Sequence, residues 1–105
     1  MPVPLVLEVT RHADSSIVQC SGRLTANSAD LLHTEVKELI PGSKSIVLDL
    51  EGVTHMDSMG LAMLVRLYGS TQAVGCRLQL RNLNKRIKDL LTLTNVLSLF
   101  EKDHP

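Results

Sequence analysis

The 105-residue chain has no tryptophan, one tyrosine and one phenylalanine, Tyr68 and Phe100. That removes the aromatic platform on which a single-strand nucleic-acid binder stacks bases. Charge of one sign is lacking as well: 11 Lys and Arg face 11 Asp and Glu, so the formal net charge is zero. A neutral chain is not expected to have nucleic acid as its partner, because that affinity comes from phosphate neutralisation. No apolar run approaches the roughly 18 residues of a membrane span, so no membrane insertion is expected. The apolar segment Met1 to Leu7 is short, with neither a basic flank nor a small-residue cleavage site, and does not read as a secretory signal. Only two cysteines are present, Cys20 and Cys76, too far apart in sequence to read as a metal pair or disulfide framework. Cys20 is in phase with Val18, and Cys76 with Leu78 and Leu80, as small core residues would be. Together these absences place the expected setting in a reducing cytoplasm.

What remains is an ordinary folded composition, 44% hydrophobic and 21% charged, and enough residues for one domain spanning 1–105. Leu5 to Thr10 and Ser16 to Ser21 are β-prone runs joined by Arg11 to Ser15, a hairpin pattern. Gly22-Arg23-Leu24-Thr25 reads as the break after the second strand. Asn27 or Ser28 can cap a helix carrying Ala29, Leu32, Val36, Leu39 and Ile40 on one stripe, and Pro41-Gly42 stops it. Ser45 to Leu50 has the apolar centre of a buried strand. A loop, Glu51 to Asp57, leads to a second helix from about Ser58 to Val74, ended by Gly75. Cys76 to Leu80 is a further strand, Asn84 caps a third helix to about Thr94, and Val96 to Phe100 reads as a short strand or tail. The order predicts a mixed α/β sheet of four to five strands, an antiparallel opening pair followed by parallel crossovers, with three or more helices covering it.

The densest signal is the run from Val47 to Leu61, a buried strand, a connection, then Asp57-Ser58-Met59-Gly60 opening a helix. Ser58 falls where free backbone N–H groups and the positive end of the helix dipole gather. Gly60 permits close backbone approach. The plain alternative is that Asp57 or Ser58 is an N-cap and nothing more.

These residues resemble the STAS domain family, in particular the bacterial anti-sigma factor antagonists, over nearly the whole chain. Gly22-Arg23-Leu24-Thr25 is similar to the family's Gly-Glu-Leu-Asp turn. Ile46-Val47-Leu48-Asp49-Leu50, with Val53 and Met56-Asp57-Ser58-Met59-Gly60-Leu61, is similar to its signature strand and Asp-Ser-(Ser/Thr)-Gly-Leu motif. The resemblance implies that Ser58 is phosphorylated by a partner that is both anti-sigma factor and serine kinase, with a serine phosphatase reversing it. The unphosphorylated form would bind that partner and free a sigma factor. It implies no cofactor or metal for this chain, the ATP being the partner's. Three departures stand out: Met59 replaces the second hydroxyl residue, Arg23 and Thr25 replace an acidic pair, and the chain ends soon after Phe100 where many relatives add a helix. STAS-like domains also serve as accessory subunits of membrane transport complexes, docking on an ATPase, and Asp57 with Gly60-Leu61-Ala62 resembles those too.

Helical geometry adds a docking expectation. With Leu61 at 0°, Leu64, Val65 and Tyr68 fall at about 300°, 40° and 340°, a core stripe. Met59, Met63 and Arg66 fall at about 160°, 200° and 140°, facing outward as an adaptable contact surface. The alternative is that another segment covers the methionines. This surface and the residues that the resemblance implies make the expected partner-binding set Asp57, Ser58, Met59, Gly60, Met63 and Arg66 with Gly22, Arg23 and Thr25.

An enzyme is not expected. Ser58 does not fit a Gly-x-Ser-x-Gly elbow, since Met56 stands two residues before it, and His55 lies only three positions away. His12, His33 and His104 lack metal-ligand spacing. Positive charge collects late in the chain, at Arg77, Arg81, Lys85, Arg86 and Lys88, in the manner of solvated strand and helix ends.

Overall fold

A computed structural model describes residues 4–101; Met1 to Val3 and the tail that includes His104 lie outside the described residues. Four strands, β1 (Val6–His12), β2 (Ser15–Leu24), β3 (Ser45–Met56) and β4 (Arg77–Arg81), and four helices, α1 (Ala29–Leu39), α2 (Ser58–Ala73), α3 (Lys85–Leu93) and α4 (Val96–Glu101), form one small α/β unit. The sheet order is β1-β2-β3-β4, with β1 antiparallel to β2 and the other two pairs parallel.

Period-two alternation explains which face is buried. Val18, Cys20 and Leu24 of β2, Ile46, Leu48 and Leu50 of β3, and Leu78 of β4 join the helices' Leu32, Val36, Leu64, Leu67, Ile87 and Leu91 in one core. The opposite face carries Gln19, Asp49 and Arg81 side by side in register. Because β2, β3 and β4 are parallel, their C-terminal ends and the starts of α1, α2 and α3 all lie along one edge of the sheet.

Several elements differ from expectation. The second strand does not break at Gly22 but runs to Leu24, absorbing two register shifts, between Gln19 and Ser21 and between Gly22 and Arg23. Gly22 sits at φ +100°, and a β-carbon there would collide with the Pro4 carbonyl. Of the segment expected as a loop, Glu51 to Asp57, all but Asp57 is instead the continuation of β3. β2 is long enough to pair with it, Ser21 with Gly52 through Leu24 with Met56. On the other side β4 has already ended, and the Asn84 side-chain amide donates to the Val53 carbonyl at 2.8 Å in its place. The same side chain caps α3 by accepting from the Ile87 N–H at 3.0 Å.

Val96 to Phe100 is helical rather than a strand or tail. Asn95 in the left-handed region (φ +62°) turns the chain after α3, and Val96 and Phe100, four apart, are both buried. The protein's two aromatic rings meet there, Phe100 edge-on to Tyr68 with centroids 5.3 Å apart.

The core stripe of α2 is also rotated from the expected one. Gly60, Met63, Leu64, Leu67 and Thr71 are buried, a stripe centred near about 270° rather than 0° on the same ruler. Met63 therefore points inward, only 5% exposed, while Val65 is 39% exposed. Aliphatic residues surround most of this helix, so periodicity by itself defines its inner face poorly. Leu67, which the expected stripe omits, is the residue that fixes it. Met63→Glu is accordingly expected to destabilise the fold by about 3 kcal/mol or more, since it removes core contacts and buries a carboxylate. Urea unfolding of the purified variant measures this; a midpoint equal to wild type would place Met63 back on the surface.

Candidate functional site

The edge where the three helices start is built around Asp57. Asp57 is extended (φ −101°, ψ −175°) and forms the N-cap of α2, its side chain accepting from the N–H groups of Met59 and Gly60. Both bonds reach Oδ1, at 3.0 and 2.9 Å, while Oδ2 accepts from the Ala26 N–H at 3.1 Å. The Asp57 N–H donates in turn to the Leu24 carbonyl at 3.3 Å. The Gly60 N–H does most to hold the Asp57 carboxyl below the ordinary carboxylate range; slight desolvation opposes it, and the Ala26 and Met59 N–H groups add to the lowering. Gly60 has no side chain because the helix is pressed onto the end of β2: a β-carbon there would overlap the Leu24 carbonyl oxygen.

Ser58 is the first residue of α2 and is exposed. Its hydroxyl makes no hydrogen bond among the described residues, and the backbone N–H groups beside it carry the partial positive charge of the helix start. Below it on the exposed side of α2 lie Met59, Ala62, Val65, Arg66 and Gly69. This strip carries a single charge, that of Arg66.

The residues expected from the Gly22 to Thr25 segment come to the same edge. Thr54 donates its hydroxyl to the Gly22 carbonyl at 3.2 Å. Arg23, half-buried, is in register with His55, and Leu24 with Met56. Thr25 opens the turn before α1, where the Ser28 hydroxyl accepts from the Thr25 N–H at 3.0 Å and donates to the Arg23 carbonyl at 2.6 Å. Ser28 is thus spent on the turn and makes no side-chain cap on α1. Of the expected partner-binding set, Asp57, Ser58, Met59, Arg23 and Thr25 gather at one edge, Gly22 and Gly60 lie there buried against backbone rather than open to a partner, and Arg66 lies two turns down the exposed side of α2. Met63 does not join them.

Four residues of this edge and strip lie outside the expected partner-binding set. Ala26 acts through its backbone N–H, which no residue type announces. Ala62, Val65 and Gly69 follow Ser58 at helical spacing, a signal present in the sequence, and of these the expected core stripe places Val65 on the wrong side of the helix.

The remaining chemistry-bearing residues are occupied elsewhere. Asp49 is buried on the outer face of the sheet; burial resists its ionisation, but the Glu51 N–H, the Asn82 amide and the Arg81 guanidinium together outweigh it and hold its carboxyl low. Arg81 is thereby paired, and Lys85 meets Asp89 four residues on at 3.3 Å. Burial, with the Asp49 charge adding, pushes the Cys20 thiol up to about 12, and burial raises Cys76 too, so neither is a ready thiolate. His55 Nδ1 lies 3.0 Å from the Thr54 hydroxyl. Among the described residues no three His, Cys, Asp or Glu side chains are placed to hold a metal, and no helix is long and apolar enough to cross a membrane.

The depressed Asp57 carboxyl has a measurable consequence. A carboxylate held low in the folded state stabilises it above its unfolded pKa, near 3.9, and that contribution disappears as pH falls through the folded value. Asp57→Asn retains an acceptor oxygen but not the charge. Urea midpoints taken from pH 7 to pH 2.5 should fall less steeply for the variant below about pH 4 than for wild type. Parallel curves would mean that the carboxylate contributes nothing to the folded edge.

Comparison with known proteins agrees with this architecture. The chain is 26% identical over 97 residues to the anti-sigma F factor antagonist of Paenibacillus polymyxa, spanning 90% of this chain and 83% of that protein. The solved structure of an anti-sigma factor antagonist from Mycobacterium paratuberculosis superposes with a TM-score of 0.77 at 22% identity, covering 95% of this chain and 87% of that one. A sulfate transporter family protein from Wolinella succinogenes reaches the same TM-score, 0.77, at 19% identity, covering 87% and 75%. The fold is therefore shared by antagonists and transporter domains alike. The STAS domain family matches residues 6–104, and the chain belongs to that family.

Proposed function

We propose that this STAS domain is an anti-sigma factor antagonist that works as a partner-binding module in the cytoplasm, not as an enzyme. Unphosphorylated, it binds an anti-sigma factor that is also a serine kinase and so frees a sigma factor. Phosphorylation of Ser58 ends the complex, and a serine phosphatase restores it. The observation that carries this reading is the exposed, unbonded Ser58 hydroxyl at the start of α2, set above an almost uncharged exposed strip. The antagonist similarity supports the choice of partner.

The electrostatics favour a switch that acts in the complex. A phosphate on Ser58 brings roughly −1.5 to −2 charges next to Asp57 while facing the favourable end of the α2 dipole. In the free domain, water screens the repulsion between the two anions. Beneath a partner, that screening and the phosphate's hydration are both lost. The free phosphorylated domain is expected to keep the same fold.

The test is to incubate the protein with ATP and the serine kinases encoded beside its gene, map any phosphate by mass spectrometry, and measure binding of the same kinases. Phosphate is expected on Ser58. Ser58→Ala should hold its partner in the presence of ATP, and Ser58→Asp should remain folded yet bind weakly. Asp57→Ala should slow phosphorylation, because Asp57 fixes the backbone from which the hydroxyl projects. If no kinase modifies wild type, or Ser58→Ala is still released by ATP, the accessory-subunit reading, with the α2 start docked on a transporter ATPase, replaces this one.

The exposed strip supplies an independent measurement. Met59→Glu is expected to weaken partner binding about tenfold, or ~1.4 kcal/mol, while changing stability by no more than about 0.5 kcal/mol. Unchanged affinity would remove this side of α2 from the interface.

A further inference from the structure

Against the Thr25 to Ser28 turn lies an open cavity of about 530 Å³. Its lining divides by chemistry. Pro4, Leu5 and Leu31 make an apolar surface, and Leu31 is a leucine left 46% exposed at the mouth. Arg23, Thr25, Asn27 and Ser28 supply the polar side. Arg23 is half-buried, yet its guanidinium has neither an ion pair nor a hydrogen bond among the described residues. An unpaired guanidinium beside open apolar surface is complementary to a carboxylate carried on an aliphatic body.

The walls are set before anything enters. The Ser28 hydroxyl bonds to both the Thr25 N–H and the Arg23 carbonyl, which fixes the backbone beneath the arginine. The same turn is tied through the Ala26 N–H to the Asp57 carboxylate, so one turn both lines the cavity and braces the edge that carries Ser58.

We propose that this cavity is an anchor subsite for an acidic, leucine-rich segment of the partner protein, with Arg23 taking a Glu or Asp side chain and Leu5 and Leu31 taking a neighbouring aliphatic one. The inference rests on the reading of this edge as the partner-binding surface and adds the chemistry by which it selects a partner. Arg23 is the specificity-determining residue, and Leu31 supplies the apolar contact.

The experiment is an NMR titration of the ¹⁵N-labelled full chain with acetyl-Leu-Glu-Leu-amide and with its neutral counterpart acetyl-Leu-Gln-Leu-amide. The acidic peptide is expected to bind with Kd near about 1 mM and to move the amides of Leu5 and residues 23–31. The neutral peptide should bind about tenfold more weakly, as expected for losing a charge-assisted hydrogen bond. Arg23→Gln should abolish the difference between the peptides, with an unfolding midpoint near that of wild type. Leu31→Asp, on an exposed position, should weaken both. The inference is overturned if neither peptide gives saturable shifts, if the shifts fall elsewhere, or if Arg23→Gln keeps the preference for the acidic peptide. Phosphate transfer to Ser58 is scored separately. A phosphorylated, partner-binding protein with no peptide in the cavity removes the anchor subsite only. Peptide binding in the cavity with no phosphate on Ser58 removes the switch only.

Discussion

The Asp57 carboxylate serves two pieces of backbone at once, and the position of Ser58 depends on both. One oxygen takes the Met59 and Gly60 N–H groups that α2 would otherwise leave unsatisfied, and the other takes the Ala26 N–H from the turn before α1. The first pair sets where α2 begins; the second joins that beginning to a segment 31 residues earlier in the chain. Gly60 then lets the first turn of α2 settle on the Leu24 carbonyl, the last carbonyl of β2. A helix start held from three directions keeps Ser58 exposed without leaving it free to fold back. The N-cap role and a recognition role are therefore compatible: the cap is what presents the serine.

That arrangement decides how a charge change at Ser58 could be read. The acceptors of the junction are the Asp57 carboxylate and the Leu24 carbonyl, and every donor is a backbone N–H. Adding charge to Ser58 removes no partner from any of these groups, so the junction contains no bond that phosphorylation must break. On the proposed function, a signal written there would be read by whatever covers the edge, through lost hydration and unscreened repulsion. Domains whose switch lies in their own rearrangement need two packings of similar free energy. Moving α2 would expose Leu64 and Leu67, which are fully buried beneath it.

The sequence was most legible where one residue type answers to one physical demand. Asn84 and Asp57 announce helix starts because only short polar side chains reach back to free N–H groups. Ile46, Leu48 and Leu50 announce a buried strand, and Pro41-Gly42 the end of α1. Legibility failed where the deciding partner was distant. Glu51 to Met56 looks like a loop by composition and is a strand because β2 offers it an edge. Val96 to Phe100 is too short to declare itself a helix; it becomes one because Phe100 finds Tyr68 across the core. Met63 and Val65 exchanged sides for a related reason: in a helix with aliphatic residues nearly all round, tertiary neighbours choose the inner face.

The same distinction separates the two polar clusters of the sheet. Asp49 and Arg81 sit together on the outer face, where each answers the other and the Asn82 amide completes the set. Such a cluster is closed: its charges are matched inside the chain, and nothing further is required to explain them. Arg23 lies one residue from the end of β2, in register with His55, and no carboxylate within the described residues comes to it. Both arginines are on strands of the same sheet, and composition gives no hint that one is paired and the other is not. Pairing depends on register, which sets Asp49 opposite Arg81 and sets no acid opposite Arg23. Register thus leaves a half-buried arginine without an answering acid at the edge that also presents Ser58, and the proposed anchor subsite supplies that acid from a second molecule.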